Sequence, residues 1–477
     1  MDFKTRPYDH QLEAFEASKD RSHFAYFMEQ GTGKTKVVID NAAYLYEAGK
    51  ITSLLVIAPK SVYINWVTRE IPVHMPDVEY HAQYWTGKRS EKAKGELRAF
   101  PLGTGLRVFT INIDAVNTEF GFNFCQYFIK NSKAMVVIDE STRIKNRRAK
   151  RTKRVHNLGL LAPYRRIMTG TPVTQSPFDV YSQMQFLNPS ILGFRSYHAF
   201  THHFAIMDRQ VGRANGRQYR YETVREFRNL DQLHKLLKPH SYRCLKRDCL
   251  DLPDKIYQVR DLHLSGDQLR AYRQMKSELL LEFDSETVSA KMKLTLVGKL
   301  HQIVGGFSLT DSGSSYRYDN NVKLEALKDI MEDASLPCII WAKYVEEIRM
   351  IGQAIGELGL TVATFYGETN QNDREIAIND FQDGYLDVLV MNPAAGGMGI
   401  TLTRGETVIY YSNGYEYESR IQSEDRVHRS GLRHPVTYID LVCRQTIDQA
   451  ILKSLRQKRS FSDVVTKDAP SEWLGGE

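Results

Sequence analysis

Short runs of β-branched and other apolar residues recur along the chain, and each is followed by a polar turn and a helix-like stretch. In the first half these runs are SLLVIAP (53–59), RVFTIN (107–112), AMVVIDE (134–140) and YRRIMTGTP (164–172). In the second half they are PCIIWAK (337–343), TVATFYG (361–367), LDVLVMN (386–392), TVIYYSN (407–413) and VTYIDLV (436–442). Strands that alternate with helices predict βαβ units around a parallel sheet. We therefore expect an α/β protein with two parallel-sheet lobes.

The length and composition agree with this expectation. The chain has 477 residues, of which 42% are hydrophobic and 25% charged, as in globular proteins of two or three domains. We place the N-terminal lobe at residues 1–240, with an arginine-rich insertion at about 195–235. The C-terminal lobe is placed at 241–477, with a helical insertion at about 265–320. Neither insertion shows the period-2 alternation of a sheet strand.

Cysteine spacing and hydropathy argue against a disulfide scaffold and a membrane protein. The five cysteines are scattered without CxxC pairs, so neither a disulfide framework nor a zinc site is predicted. The N-terminus, MDFKTRPYDHQ, is charged, and no run approaches the roughly 18 apolar residues of a membrane span. The net charge of +7 favours an acidic partner only weakly. We expect a monomer without membrane association in the reducing cytosol of a bacterium or of a virus-infected host cell, with a nuclear location as the alternative.

The segment MEQGTGKTKVVID (28–40) contains the parts of a phosphate loop. Such a loop needs small residues whose backbone N–H groups point inward, a lysine for the β- and γ-phosphates and a hydroxyl for Mg²⁺. The preceding HFAYFM (23–28) fits a strand, and residues 34–49 fit a helix whose positive end would face the anion. In isolation, GTGKT also fits a helix start without a nucleotide. The predicted nucleotide-binding residues are Gln30, Gly31, Thr32, Gly33, Lys34 and Thr35.

Two carboxylates end a later apolar run, in VVIDEST (136–142). Asp139 at a strand tip can hold Mg²⁺, and Glu140 can orient or deprotonate an attacking water. Alone, the pair also fits an acidic helix cap. A phosphate loop followed by an acidic pair, each at a predicted strand end, is typical of a P-loop nucleoside triphosphatase. We predict ATP and Mg²⁺ as cofactors, Lys34, Asp139 and Glu140 as catalytic residues, and Thr35 and Asp139 as metal ligands.

Two arginines lie three residues apart in QSEDRVHRSG (422–431). Arg426 and Arg429 would share one helical face at this spacing. Arginines delivered to a triphosphate stabilise the charge of the transferring phosphoryl group, an effect worth roughly 10³–10⁵ in rate. We predict that both residues bind the nucleotide and act in catalysis. The alternative is a solvated basic helix.

The segment RIKNRRAKRTKR (143–154) has eight Lys or Arg residues in twelve positions and no acid. A basic run directly after a catalytic motif favours contact with a phosphate backbone, although charge runs are more often solvated faces. No base-reading motif such as a zinc finger or homeodomain accompanies it, so binding without sequence preference is expected. The predicted DNA contacts of this segment are Arg143, Lys145, Asn146, Arg147, Arg148, Arg151 and Arg154.

Six longer strings are specific rather than loose patterns: MEQGTGKT, VIAPKSVYINWVTRE, DESTRIKN, MTGTPVTQSPFDVYSQMQFLNP, NPAAGGMGITLTRGETVIYYSN and QSEDRVHRSGL. They resemble the motifs of the Swi/Snf-type ATPases of helicase superfamily 2, which translocate on double-stranded DNA. The resemblance runs from about Arg6 to Leu455. It departs from the family at Thr142, where a histidine is usual, and at Leu432, where a glutamine is usual.

The resemblance implies two RecA-like lobes, ATP at their cleft and a nucleic acid lying across both. The segment RPYDHQLEAF (6–15) resembles the one that precedes the loop and contacts adenine in the family, which assigns Gln11 to adenine, and the string NPAAGGMGITLTRGETVIYYSN assigns Gly399 to the nucleotide. The resemblance also assigns to the DNA track Pro59, Lys60, Thr110, Gly396, Gly397 and Thr401.

These observations predict an ATP-dependent translocase on double-stranded DNA that remodels DNA structures or strips bound proteins. One alternative is a strand-separating helicase acting on DNA or RNA, against which DESTRIKN and EDRVHR speak. The alternative from another class is a non-catalytic nucleic-acid-binding scaffold, against which the intact Lys34, Asp139 and Glu140 speak.

Overall fold

The apolar runs form two parallel β-sheets, as their composition predicts. The computed structural model describes residues 2–60, 62–214, 217–284, 290–309, 314–393, 400–429 and 431–466. The chain divides into two units, the first built from Met1–Ile206 and Glu226–Asp251 and the second from Met207–Arg225 and Leu252–Arg459. The predicted α/β class with two parallel-sheet lobes is confirmed.

Seven parallel strands form the sheet of the first lobe. Up to residue 251 the strands are β1 (His23–Met28), β2 (Ser53–Ala58), β3 (Tyr80–Tyr84), β4 (Leu106–Asn112), β5 (Ala134–Asp139), β6 (Tyr164–Met168), β7 (Ala205–Ala214), β8 (Arg217–Phe227) and β9 (Ser241–Cys244). The sheet has the order β3-β4-β2-β5-β6-β1-β9, and every neighbouring pair is parallel. All residues of β2 and β5 are buried, as apolar strands covered on both faces require.

Helices cover both faces of this sheet. Up to residue 251 they are α1 (Asp9–Ser18), α2 (Lys34–Glu47), α3 (Tyr63–Asn65), α4 (Ile71–His74), α5 (Glu91–Ala99), α6 (Ile113–Val116), α7 (Glu119–Lys130), α8 (Lys150–Leu161), α9 (Asp179–Leu187), α10 (Tyr197–Phe204), α11 (Leu230–Leu237) and α12 (Lys246–Cys249). Single turns of other helix types occur at Trp66–Glu70, Phe100–Leu102, Ser141–Ile144, Pro189–Ile191 and Lys238–His240. A hydrophobic core lies on each face of the sheet, and successive residues of β2 point to opposite faces. Leu54 belongs to the core with α1 and α2, and Leu55 to the core with α7 and α8.

Two expectations are corrected in this lobe. The boundary predicted at residue 240 falls too early for the sheet, because β9 (Ser241–Cys244) pairs with β1. The arginine-rich insertion, expected in the N-terminal lobe and without strands, contains the separate two-stranded sheet of β7 and β8, and its part Met207–Arg225 groups with the second unit. Nearly all of β8 is exposed, and an exposed strand needs no alternating hydrophobic pattern that would reveal it in the sequence.

Six parallel strands form the sheet of the second lobe. After residue 251 the strands are β10 (Lys255–Leu262), β11 (Phe307–Leu309), β12 (Ser315–Arg317), β13 (Cys338–Trp341), β14 (Val362–Phe365), β15 (Val388–Met391), β16 (Thr407–Tyr410) and β17 (Val436–Cys443). The sheet has the order β10-β17-β16-β13-β15-β14 with parallel neighbours, and β11 and β12 form a small antiparallel pair.

The helices of the second lobe include the predicted helical insertion. They are α13 (Gly266–Asp284), α14 (Ala290–Val304), α15 (Val322–Asp333), α16 (Val345–Glu357), α17 (Gln371–Asp383), α18 (Tyr417–Val427) and α19 (Ile447–Thr466). The insertion is formed by α13 and α14. Within the described part of the chain, no helix combines the length and the hydropathy that a membrane span needs.

Candidate nucleotide-binding and nucleic-acid-binding sites

The loop between β1 and α2 has the backbone of a phosphate cradle. Strand β1 ends at Met28 and α2 begins at Lys34. Gly31 and Gly33 have φ values of +90° and +83°, a region that side chains other than glycine rarely adopt. A Cβ atom on Gly33 would lie 2.1 Å from Gln11 Nε2. The loop therefore requires glycine at position 33 for conformation and for space.

Helix α1 holds the loop from behind. Gln11 Nε2 donates to Thr32 O at 3.1 Å, and Gln11 Oε1 accepts from Tyr8 N at 3.1 Å. His10 Nε2 also lies 2.8 Å from Thr32 O. The resemblance assigns Gln11 to adenine, but both ends of its amide are engaged inside the protein. In this arrangement Gln11 positions the loop, and its contact with adenine stays a prediction.

The chemistry of the loop suits an anion. Lys34 is 8% exposed, and its Nζ donates to Met28 O at 2.8 Å and to Glu29 O at 3.1 Å. No side chain caps α2, so its first N–H groups and the positive end of its dipole face the loop. Gln30 Oε1 is buried without a hydrogen-bond partner among the described residues. These groups fit a nucleoside triphosphate.

The two carboxylates lie at the end of β5, where Asp139 is the last strand residue and Glu140 follows it. Asp139 Oδ2 accepts a hydrogen bond from Trp66 Nε1 at 3.0 Å. Burial raises the pKa of Asp139, while the Trp66 hydrogen bond and the charge of Lys34 oppose this rise. Glu140 has a φ of +52°, and Thr169 Oγ1 donates to its Oε2 at 3.4 Å. Because β5, β6 and β1 are neighbours in the sheet, their carboxyl ends bring these groups together.

The arginines of the second lobe depart from the predicted helical face. Arg426 lies in the last turn of α18 and is 5% exposed. The helix ends at Val427, so Arg429 lies beyond it and the shared helical face is wrong. Arg429 instead donates from Nη1 to Thr401 Oγ1 at 2.9 Å. Thr401, assigned to DNA by the resemblance, therefore orients Arg429. Gly396, Gly397 and Gly399 lie outside the described residues.

The basic segment at 143–154 is divided between exposed and internally engaged side chains. Arg154 pairs with Glu119, donates to Val116 O at 3.3 Å and stacks on Phe122, so its prediction as a DNA contact is not supported. Lys145 donates to Thr174 at 2.5 Å. Arg151 is partly exposed and lies 3.9 Å from Asp114. The exposed side chains are those of Arg143, Asn146, Arg147, Arg148, Lys150 and Lys153, of which Arg147 also stacks on the Tyr197 ring at 4.4 Å.

Three further residues assigned to the DNA track follow β2 or lie in β4. Lys60 is exposed, as a DNA contact requires, whereas Pro59 is buried. Thr110 is 0% exposed, and its hydroxyl donates to Tyr63 O at 2.8 Å. The side chain of Thr110 therefore supports the loop after β2, and we correct its assignment to that role.

Comparison with protein families decides the relationship. The SNF2-related domain matches residues 26–305, more than half of the chain, and the helicase conserved C-terminal domain matches residues 322–431. The chain belongs to the SNF2-related family. The resemblance to Swi/Snf-type ATPases stated from the motifs is thereby confirmed.

Individual relatives are distant and longer. The Bacillus subtilis protein YwqA, named provisionally as an ATP-dependent helicase/translocase, is 26% identical to this chain over 463 residues. The match covers 94% of this chain and 46% of YwqA. The ATP-dependent helicase brm of Drosophila melanogaster is 25% identical over 465 residues, covering 92% of this chain and 27% of brm. The solved SWI2/SNF2 ATPase core of Sulfolobus solfataricus in complex with dsDNA is 24% identical, with a TM-score of 0.44 and coverage of 98% and 94%. The chain spans less than half the length of these two curated relatives.

The motifs of this SNF2-related chain do not reveal the residues that hold its sites in place. Arg243 Nη1 donates to Phe27 O and Gly170 O, each at 3.0 Å, and so ties β9 to β1 and to the turn after β6. In the second lobe, Arg420 is buried and donates to Glu424 at 2.9 Å and from Nη2 to Asp440 at 3.1 Å, which fixes α18 on the sheet. Burial opposes ionisation, but the charges of Lys255 and Arg420 hold the pKa of Glu424 well below its usual range. Arg420 and Glu424 lie four residues apart on α18, but Asp440, Lys255 and the partners of Arg243 are distant in sequence, so no local pattern signals those contacts.

Proposed function

We propose that the chain is an ATP-driven motor that moves along double-stranded DNA and remodels DNA structures or displaces bound proteins. The observation that carries the proposal is the placement of Lys34, after β1, and of Asp139 and Glu140, at the end of β5, on either side of β6 at the carboxyl edge of the sheet in a SNF2-related chain. The names of the relatives as ATP-dependent helicases support the same motor chemistry.

The first lobe offers a role for each residue of this chemistry. The N–H groups at the start of α2 would bind the phosphates. Lys34 Nζ would donate to the phosphates instead of to Met28 O and Glu29 O, its acceptors in this structure. Asp139 and Thr35 would hold Mg²⁺, which supplies charge neutralisation between the β- and γ-phosphates. Glu140, contacted by Thr169, would orient the attacking water and accept its proton.

The exposed part of the basic segment supports a nucleic-acid backbone as the partner. Arg147, Arg148 and Lys150 are exposed and lie in the turn before α8 or in its first position. Fixed positive charge of this kind recognises phosphates, which carry no sequence information. Double-stranded DNA without sequence preference is therefore the proposed substrate of the motor.

We expect the triple variant Arg147→Gln, Arg148→Gln and Lys150→Gln to bind duplex DNA more weakly on every sequence. Each phosphate contact that is lost should reduce the slope of log affinity against log salt by about 0.9. The measurement is duplex affinity by fluorescence anisotropy over a salt series, with several unrelated sequences.

A matched control removes the same charge elsewhere in the lobe, at the exposed Lys92, Arg98 and Lys130. The control variant should keep most of the parental salt slope. The assignment of the basic segment to DNA is wrong if both variants change the slope equally, or if the first variant loses affinity for one sequence alone.

A further inference from the structure

A histidine and two cysteines from separate parts of the first lobe meet behind the phosphate loop. One ring nitrogen of His10 and the sulfur atoms of Cys244 and Cys249 all lie within 4.8 Å of one another. His10 and Cys244 are buried, and Cys249 is partly exposed. From these three side chains we propose that the lobe binds a thiophilic divalent cation, with Zn²⁺ as the natural occupant.

The local fold explains why the two sulfur atoms are close. Cys244 is the last residue of β9, which runs beside β1 and pairs with it at Met28. The short helix α12 (Lys246–Cys249) then turns the chain back by one turn. Its last residue, Cys249, brings its sulfur to 3.0 Å from that of Cys244. The two thiols are therefore placed by the same strand and turn that border the phosphate loop.

The histidine is held in the form that binds a metal. His10 Nε2 lies 2.8 Å from Thr32 O, and a carbonyl oxygen can only accept, so Nε2 carries the proton and donates it. Nδ1 is then the ring nitrogen that offers a lone pair. Histidine ligands of metals characteristically donate their other ring N–H to a backbone carbonyl or carboxylate, which fixes the tautomer and the ring orientation. Thr32 O has this function here.

The ligand set and its burial select the kind of cation. Two thiolates and one neutral imidazole form a ligand set that Zn²⁺ takes in proteins, with a fourth position open to water. Two thiolate charges balance one divalent cation, so the filled site carries no net charge, as a buried site requires. Cys249 is partly exposed, so water and the cation would reach the site from the side of this residue. Hard cations such as Mg²⁺ prefer oxygen ligands and are not expected here.

The cation would stiffen the phosphate loop from behind. His10 contacts Thr32 O, and Cys244 O accepts a hydrogen bond from Glu29 N at 3.0 Å. Lys246 N donates to Glu29 Oε2 at 2.8 Å. The ligands are thus bonded directly to both ends of the segment 29–32. The inference goes beyond the proposed motor function, because it concerns a second ion at a site that contacts no phosphate.

The test is the metal content of the intact, reduced protein, which does not depend on ATPase activity. Native mass spectrometry after Zn²⁺ addition and gel filtration should show one tightly bound zinc per chain. Titration with Co²⁺ should give the near-ultraviolet absorption band of thiolate-bound cobalt. Cys249→Ser, Cys244→Ala and His10→Gln should each lose the bound zinc, and both cysteine variants should lose or weaken the band.

Cys338→Ala, which removes a thiol of the second lobe, is the control and should keep both signals. Thermal unfolding measured without metal shows whether each variant is folded. Cys249→Ser changes a partly exposed position, so this variant still tests the proposal if a variant at a buried position does not fold. Zinc that is retained by both cysteine variants overturns the proposal. The proposal is also overturned if the reduced parental protein binds no zinc. The same holds if mass spectrometry finds the two cysteines joined as a disulfide and the protein binds no metal after that disulfide is reduced.

Discussion

Glu140→Gln should leave ATP binding nearly unchanged and reduce kcat for ATP hydrolysis by about 10²–10⁴-fold, the range for loss of a general base. Gln keeps the size of Glu and an oxygen for the Thr169 hydroxyl, so the turn with its φ of +52° should persist. What is lost is the negative charge that accepts a proton from water. Binding is measured by calorimetry with a slowly hydrolysed ATP analogue, and hydrolysis by phosphate release with duplex DNA present.

Lys34→Ala is the matched comparison and should fail in the opposite way. Removal of Nζ takes away the charge that meets the phosphates, so ATP affinity falls and the defect is present before any chemistry. A Glu140→Gln protein that hydrolyses ATP at the parental rate would show that Glu140 has no part in positioning water. Equal loss of binding in both variants would indicate a collapsed loop instead.

Arg426→Ala and Arg429→Ala should each cut kcat by about 10³–10⁵-fold if the side chain stabilises the transferring phosphoryl group. ATP affinity should change far less, because the interaction strengthens as charge develops in the transition state. Steady-state hydrolysis and equilibrium ATP binding, measured with duplex DNA, separate the two effects.

The structure supplies two comparison variants for these arginines. Thr401→Val removes the hydroxyl that accepts from Arg429 at 2.9 Å and should have a smaller effect of the same kind as Arg429→Ala. Arg433→Ala removes an exposed arginine nearby and should leave kcat unchanged. Parental kcat in both Arg426→Ala and Arg429→Ala would make these arginines structural.

Sequence alone predicts the parts of this protein whose signal is local. The run HFAYFM becomes β1 (His23–Met28) residue for residue, and β5 ends at the acidic pair as expected, with Asp139 its last residue. Both rest on a continuous apolar run that ends at a polar motif, which needs only neighbouring residues to be read. The glycines of the loop are likewise required by their own backbone angles.

The wrong expectations share a different cause. Arg429 sits at helical spacing from Arg426, but α18 stops one residue after Arg426, before the left-handed Gly431. Arg154 belongs to a basic run, yet a carboxylate and an aromatic ring from α7 engage it. In each case the deciding partner or chain turn comes from tertiary packing. A charge count or a residue spacing carries no information about that packing.

The ATPase rate of the intact protein on different nucleic acids tests the central claim most directly. Single-stranded DNA, linear duplex, forked and four-way DNA, and duplex RNA would be compared at equal nucleotide concentration, with the Glu140→Gln protein as the background. A motor that tracks duplex DNA should be stimulated strongly by plain duplex without displacing either strand, and weakly by single strands and RNA. Stimulation by single strands with strand separation, or hydrolysis that no nucleic acid stimulates, would contradict the account.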